Sequence, residues 1–126
     1  MDIDPVESNH DLYHVVFENE RVRVLEYRDT PGTVSRPHHH PDSVMVTLSS
    51  FDRRLVSGER HVEVSLGAGT PVWLPAQTHH GENIGTTPTH VMLVELKEPA
   101  PRSAGQPAGG AADTGQPLGP EVGVED

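Results

Sequence analysis

Residues 36–44, RPHHHPDSV, set three imidazoles in a row between two prolines. On a strand, alternate residues face the same way, so His38 and His40 converge while His39 points to the other side. A second pair, His79 and His80, lies in GTPVWLPAQTHHGEN, directly after a proline-flanked apolar segment. Neutral imidazoles bind Fe, Zn, Ni or Cu, with geometry and availability deciding among them. Three of them on one ion leave coordination positions open for water, substrate or oxygen, which is the condition for catalysis. Other residue types near these histidines could also act. Glu82 is a candidate general base, Arg54 in FDRRL a candidate binder of a substrate carboxylate, and Asp42 a candidate carboxylate ligand or acceptor. For all three the plainer reading, a solvated or ion-paired surface group, weighs more. His39 and His80 read as surface residues, His90 as a hydrogen-bonded core histidine, and His10, His14 and His61 carry no recognisable role. Trp73 and Met45 read as core packing that could double as the wall of an apolar pocket.

The elements that must position these residues are short. YHVVFE (13–18), RVRVLEYR (21–28), SVMVTLSS (43–50), DRRLVS (52–57), HVEVSL (61–66), PVWLP (71–75) and THVMLVEL (89–96) are rich in β-branched and apolar residues. Several alternate with period two, as in Val22 and Val24 against Arg21 and Arg23. TPGT, SGER, LGAGT and NIGTTP separate them with turn chemistry. No window carries a capped helical stripe. Many short strands at this spacing predict an all-β fold, a small antiparallel barrel that hides its strand edges.

Composition bounds the rest. A chain of 126 residues suits one domain. A net charge of −10 with dispersed arginines argues against nucleic acid or an anionic membrane as partner. There is no cysteine, so neither disulfides nor thiolate chemistry enters. The amino terminus, MDIDPVESNH, is acidic where a secretory signal is basic, and no apolar run approaches the roughly 18 to 20 residues of a membrane span. These features predict a cytoplasmic protein. Residues 1–11 are expected to form a flexible arm and residues 12–98 the barrel. Residues 99–126, rich in Pro, Gly and Ala, are expected to be a disordered tail.

Two spacings carry a resemblance. Gly32 stands six residues before His38 and eight before His40, while Gly69, Pro75, His79 and Asn83 follow one another in the second half. These resemble the two motifs of the cupin superfamily, G-X5-H-X-H and G-X5-P-X-G-X2-H-X3-N, with Gln77 where the family has glycine. The resemblance implies a jelly-roll-like barrel with a divalent metal held by His38, His40 and His79. It implies a hydrogen-bonding or turn role for Asn83. The glutamate that cupins carry four or five residues after the second histidine is absent, its places being taken by Val44 and Met45. Iron-dependent dioxygenases with three histidines are known in the family, so Fe(II) is the favoured cofactor, with Zn, Ni or Cu as alternatives. The chain is similar in particular to small single-domain cupins that include one assigned to β-alanine degradation. This implies a metal-dependent enzyme, dioxygenase-like, acting on a small molecule as a homodimer. Three neutral ligands leave the site positive, which favours an anionic substrate. Lewis-acid isomerase or lyase chemistry and non-catalytic ligand binding are the alternatives.

Overall fold

A computed structural model describes residues 3–98 and 121–122. Ten strands and one helical turn follow in chain order: α1 (Pro5–Ser8), β1 (Tyr13–Glu18), β2 (Val22–Asp29), β3 (His38–His40), β4 (Ser43–Thr47), β5 (Phe51–Ser57), β6 (Arg60–Leu66), β7 (Pro71–Leu74), β8 (Gln77–Asn83), β9 (Thr89–Leu96) and β10 (Glu121–Val122). They form a six-stranded sheet ordered β1-β2-β9-β4-β7-β10 and a four-stranded sheet ordered β3-β8-β5-β6, with every strand pair antiparallel. The all-β antiparallel barrel expected from the strand spacing is the fold observed.

The core lies between the two sheets. Tyr13, Leu25, Tyr27, Phe51, Leu74, Val91 and Leu93 form one buried cluster. Register explains its composition, because paired residues share a face: Leu25 is opposite Leu93, and Tyr27 is opposite both Val91 and Tyr13. The alternation in β2 runs the other way from its simplest hydrophobic reading. Arg23, Leu25, Tyr27 and Asp29 share the inner face, and Val22 and Val24 lie on the outer one. Charged ends are tolerated inside because each meets a partner across the β2–β9 ladder. Arg23 is opposite Glu95, and Asp29 is opposite Thr89. The barrel interior therefore holds apolar residues in its middle and a polar cluster at either end.

Within the stretch 1–11 expected to form an arm, residues 3–9 make contacts with the barrel. Asp4 caps α1 by accepting from the Val6 and Glu7 amides, and its carboxylate pairs with Arg23 at 2.7 Å. Pro5 and Asn9 are buried, and the His39 amide donates to the Ile3 carbonyl at 2.7 Å. The composition of MDIDPVESNH gave no hint of this because the stabilising partners come from β2 and β3. The tail expected to be disordered lies outside the described residues, except at Glu121 and Val122. These two pair with Trp73 and Val72 of β7.

Candidate metal centre

Pairing of β3 with β8 assembles the histidines. His38 is opposite His79 and His40 is opposite Gln77, so all four side chains belong to one face of the four-stranded sheet. His38 and His40 are 1% exposed and His79 is 6% exposed. Their ligating nitrogens all lie within 4.8 Å of one another, and the ring centroids are 4.8 to 5.3 Å apart. The structure thus brings together the three residues singled out by the motifs. It also settles a spacing that the motif leaves awkward. Counted from Pro75, the family pattern puts its histidine one position later, at His80. Strand alternation turns His79 inward and His80 away, so the barrel face selects His79.

Each imidazole is held through Nδ1 by an acceptor. His38 Nδ1 lies 2.6 Å from the Arg36 carbonyl, which can only accept. Asn9 brackets that peptide, with its Oδ1 accepting from the Arg36 amide at 2.8 Å and its Nδ2 donating to the Arg36 carbonyl at 3.2 Å. His40 Nδ1 lies 3.0 Å from Glu95 Oε2, and Glu95 Oε1 accepts from Arg23 at 2.9 and 3.0 Å. His79 Nδ1 lies 2.6 Å from Gln77 Oε1, and the Gln77 amide NH2 donates to the Pro75 carbonyl. That last bond fixes the amide so that its oxygen faces the histidine. Three Nδ1–H groups donating outward leave three Nε2 lone pairs directed inward. Burial, followed by mutual repulsion among the rings, pushes the proton affinities of His40 and His79 well below the ordinary imidazole value; burial lowers that of His38 as well. Neutral, lone-pair-inward imidazoles are the form a divalent cation requires.

The donor set therefore fits a divalent ion, and four residues not assigned to the site from sequence surround it. Glu95 and Gln77 set two of the tautomers, and Asn9 braces the third. Gln77 is the residue that departs from the family motif, and that departure was the available signal. Glu95 carried none, because its partners come from strands remote in sequence. The fourth addition is Tyr13, whose hydroxyl stands 3.2 Å from both His38 Nε2 and His40 Nε2.

The histidines open onto a cavity of about 60 Å³ between the sheets, walled mainly by apolar side chains that include Met45, Phe51, Leu55 and Leu93. Arg53 lines the same cavity. Its guanidinium donates to Asp29 at 2.6 Å, Thr89 at 3.1 Å and the Tyr27 hydroxyl at 3.2 Å. Gly81 leaves space for it, since a Cβ there would lie 2.6 Å from Arg53 Nη2. Arg54, the arginine proposed from sequence, occupies the opposite face. It pairs with Glu63 at 2.9 Å and with Glu82 at 3.4 Å, so these two candidates hold each other at the surface and away from the histidines. The inward arginine is its neighbour, one step along the strand. Asp42 accepts from the Ala76 amide and braces a loop. Asn83 is buried and donates to Asp29 and the Thr87 carbonyl, a turn-bracing role as the motif implied. His90 is half-buried on the outer side, 2.6 Å from Glu26, and is not part of the core.

No family model and no curated protein matches the chain. Solved structures do. A cupin domain from Bordetella pertussis is 29% identical, with 69% of this chain and 93% of that one covered and a TM-score of 0.64. A conserved protein with a double-stranded β-helix domain from Klebsiella pneumoniae is 24% identical over 67% of this chain and 75% of that one, with a TM-score of 0.52. An RmlC-like cupin family protein from Methanocaldococcus jannaschii is 12% identical over 68% and 78%, with a TM-score of 0.55. The chain has the fold of cupin domains, and its buried three-histidine cluster fits a divalent metal ion.

Proposed function

We propose that the chain is a mononuclear metal-dependent enzyme that turns over a small molecule, with Fe(II) as its working ion and dioxygenation as its reaction. The observation that carries the proposal is the set of three imidazoles with engaged Nδ1 protons and inward Nε2 lone pairs beside a mainly apolar cavity. A redox-active ion bound there supplies oxygen chemistry. The side chains do the rest. Apolar walls exclude water, and Arg53 offers a buried cation to an anionic substrate. Asp29, Thr89 and Tyr27 engage three guanidinium protons of the five that an arginine carries, which leaves two donors for a substrate carboxylate. At about 15 Å³ or less for a water-sized occupant, a cavity of about 60 Å³ admits only a few non-hydrogen atoms before side chains move. Among the described residues no acidic side chain lines this cavity. This favours oxygenation over lyase or isomerase chemistry at Zn or Ni, which would want a base in contact with substrate. Kinship with the small cupins that include a β-alanine-degrading member belongs to the same proposal, as does a cytoplasmic site of action. No helix among the described residues is long and apolar enough to cross a membrane.

A homodimer is also proposed, supported by the outer face of the six-stranded sheet. Register aligns Phe17, Val24, Val94, Val44 and Trp73 in one apolar row across five strands. Phe17 is 54% exposed. Light scattering should give twice the chain mass, reduced to one chain by Phe17→Glu; a monomeric parent would remove this proposal.

The enzymatic reading is tested by elemental analysis of untagged protein, with oxygen uptake measured against small amino and thiol carboxylates of β-alanine size. Iron near one per chain and substrate-dependent oxygen uptake are expected. Zinc or nickel with oxygen-independent turnover would replace dioxygenation with Lewis-acid chemistry, and stoichiometric ligand binding without turnover would make the barrel a binding module.

A further inference from the structure

The hydroxyl of Tyr13 is the feature of the site that three-histidine ligation leaves unused. Tyr13 is 6% exposed and comes from β1 of the opposite sheet, which gives no histidine to the cluster. Its oxygen is equidistant, at 3.2 Å, from His38 Nε2 and His40 Nε2. Both nitrogens are acceptors, because each imidazole spends its proton on the Arg36 carbonyl or on Glu95. One hydroxyl proton serves both acceptors only as a shared three-centre bond. At 3.2 Å to each nitrogen the hydroxyl is long for an O–H donor to either.

The same distances suit a shared ion. Ligands about 2.0 to 2.2 Å from a metal, at angles between octahedral and tetrahedral, are separated from each other by about 2.8 to 3.6 Å. The Tyr13 oxygen already has that separation from two of the ligating nitrogens. The hydroxyl contacts described are to the two histidines of β3. The usual carboxylate places are no rival, since Met45 lines the apolar wall and Val44 belongs to the outer row.

We infer that Tyr13 is a fourth protein ligand, binding as phenolate to the ion held by His38, His40 and His79. This rests on the metal-site reading above. As the oxygen–metal bond forms, the phenolic O–H breaks and its proton passes to solvent. The phenolate lowers the charge of a divalent centre by one and, on a six-coordinate ion, leaves two positions open for exogenous ligands.

The chain has two tyrosines, Tyr13 and Tyr27, which makes the test selective. The parent protein, Tyr13→Phe and Tyr27→Phe are each loaded with Fe(III), and bound metal, visible absorption and resonance Raman spectra are recorded. The inference expects a phenolate-to-iron charge-transfer band with tyrosinate ring modes in the parent and in Tyr27→Phe. It expects loss of both in Tyr13→Phe, which still binds iron through three histidines but at least tenfold more weakly. Stoichiometric iron in the parent without the band overturns the tyrosine ligand and leaves the histidine site standing. A band that survives in Tyr13→Phe also overturns it. Absence of metal binding by the parent overturns the histidine site and this inference together. Because the parent spectrum alone decides the point, a poorly folded variant does not protect the inference.

Discussion

The barrel interior contains two buried polar clusters, one at each end of the β2–β9 ladder, and they differ in how they are closed. At one end Asp29, Arg53, Tyr27, Thr89 and Asn83 satisfy one another, with an ion pair at 2.6 Å as the centrepiece. At the other end Arg23 and Glu95 close the outside of the cluster, while three imidazoles turn their Nε2 atoms inward beside the Tyr13 hydroxyl. The first cluster balances its charge within the protein, Asp29 against Arg53, with two Arg53 N–H groups to spare. The second fits a divalent cation, and its burial lowers the proton affinity of the imidazoles, which favours their neutral form. A folding scaffold and a binding site are here built from similar residue types, distinguished by whether the charges and protons balance.

The largest expected effect comes from breaking the closed cluster. Asp29→Ala leaves the Arg53 guanidinium buried without its carboxylate, and should cost about 3 to 5 kcal/mol of stability. His79→Ala in metal-free protein should cost only about 1 kcal/mol, while abolishing most metal binding. Denaturant unfolding of both variants, with metal content measured alongside, checks the contrast. Equal losses of stability would mean that the histidine cluster is scaffold too.

A smaller effect probes the outward side of the histidine cluster. Glu95→Gln removes the carboxylate behind His40 and should weaken metal affinity by about 10- to 100-fold. Chelator competition with Zn(II) reads this directly. An unchanged affinity would show that the Arg23–Glu95 pair serves only to close the barrel end.

The smallest effect is a dependence on pH. Folded-state proton affinities of His38, His40 and His79 are lowered, so the unfolded chain binds protons first as pH falls. The stability of metal-free protein should therefore be full above about pH 6.5 and decline below it, down to the folded-state values. Replacing His40 and His79 with Gln should flatten that decline. A curve that is flat in the parent, or as steep in the double variant, would place the titrating groups elsewhere.

Much of this was legible in the linear chain, for identifiable reasons. Period-two apolar segments broken by Gly- and Pro-containing turns specify strands locally. The i, i+2 spacing of His38 and His40 needs nothing beyond strand geometry to put them side by side. What could not be read were partners brought from far along the chain. Glu95, Asn9 and Tyr13 approach the histidines from distant parts of the sequence. The choice of Arg53 over Arg54 depends on which face of β5 turns inward, and a run of two arginines contains no phase. The same ambiguity hid Arg23 and Asp29 on the inner face of β2 among apolar neighbours, and it hid the docking of the amino-terminal residues. Residue type and spacing by themselves determined a small antiparallel barrel with convergent histidines. Only the tertiary structure decided which face each strand presents, because that depends on the pairing register, and with it which charges close on each other and which wait for an ion.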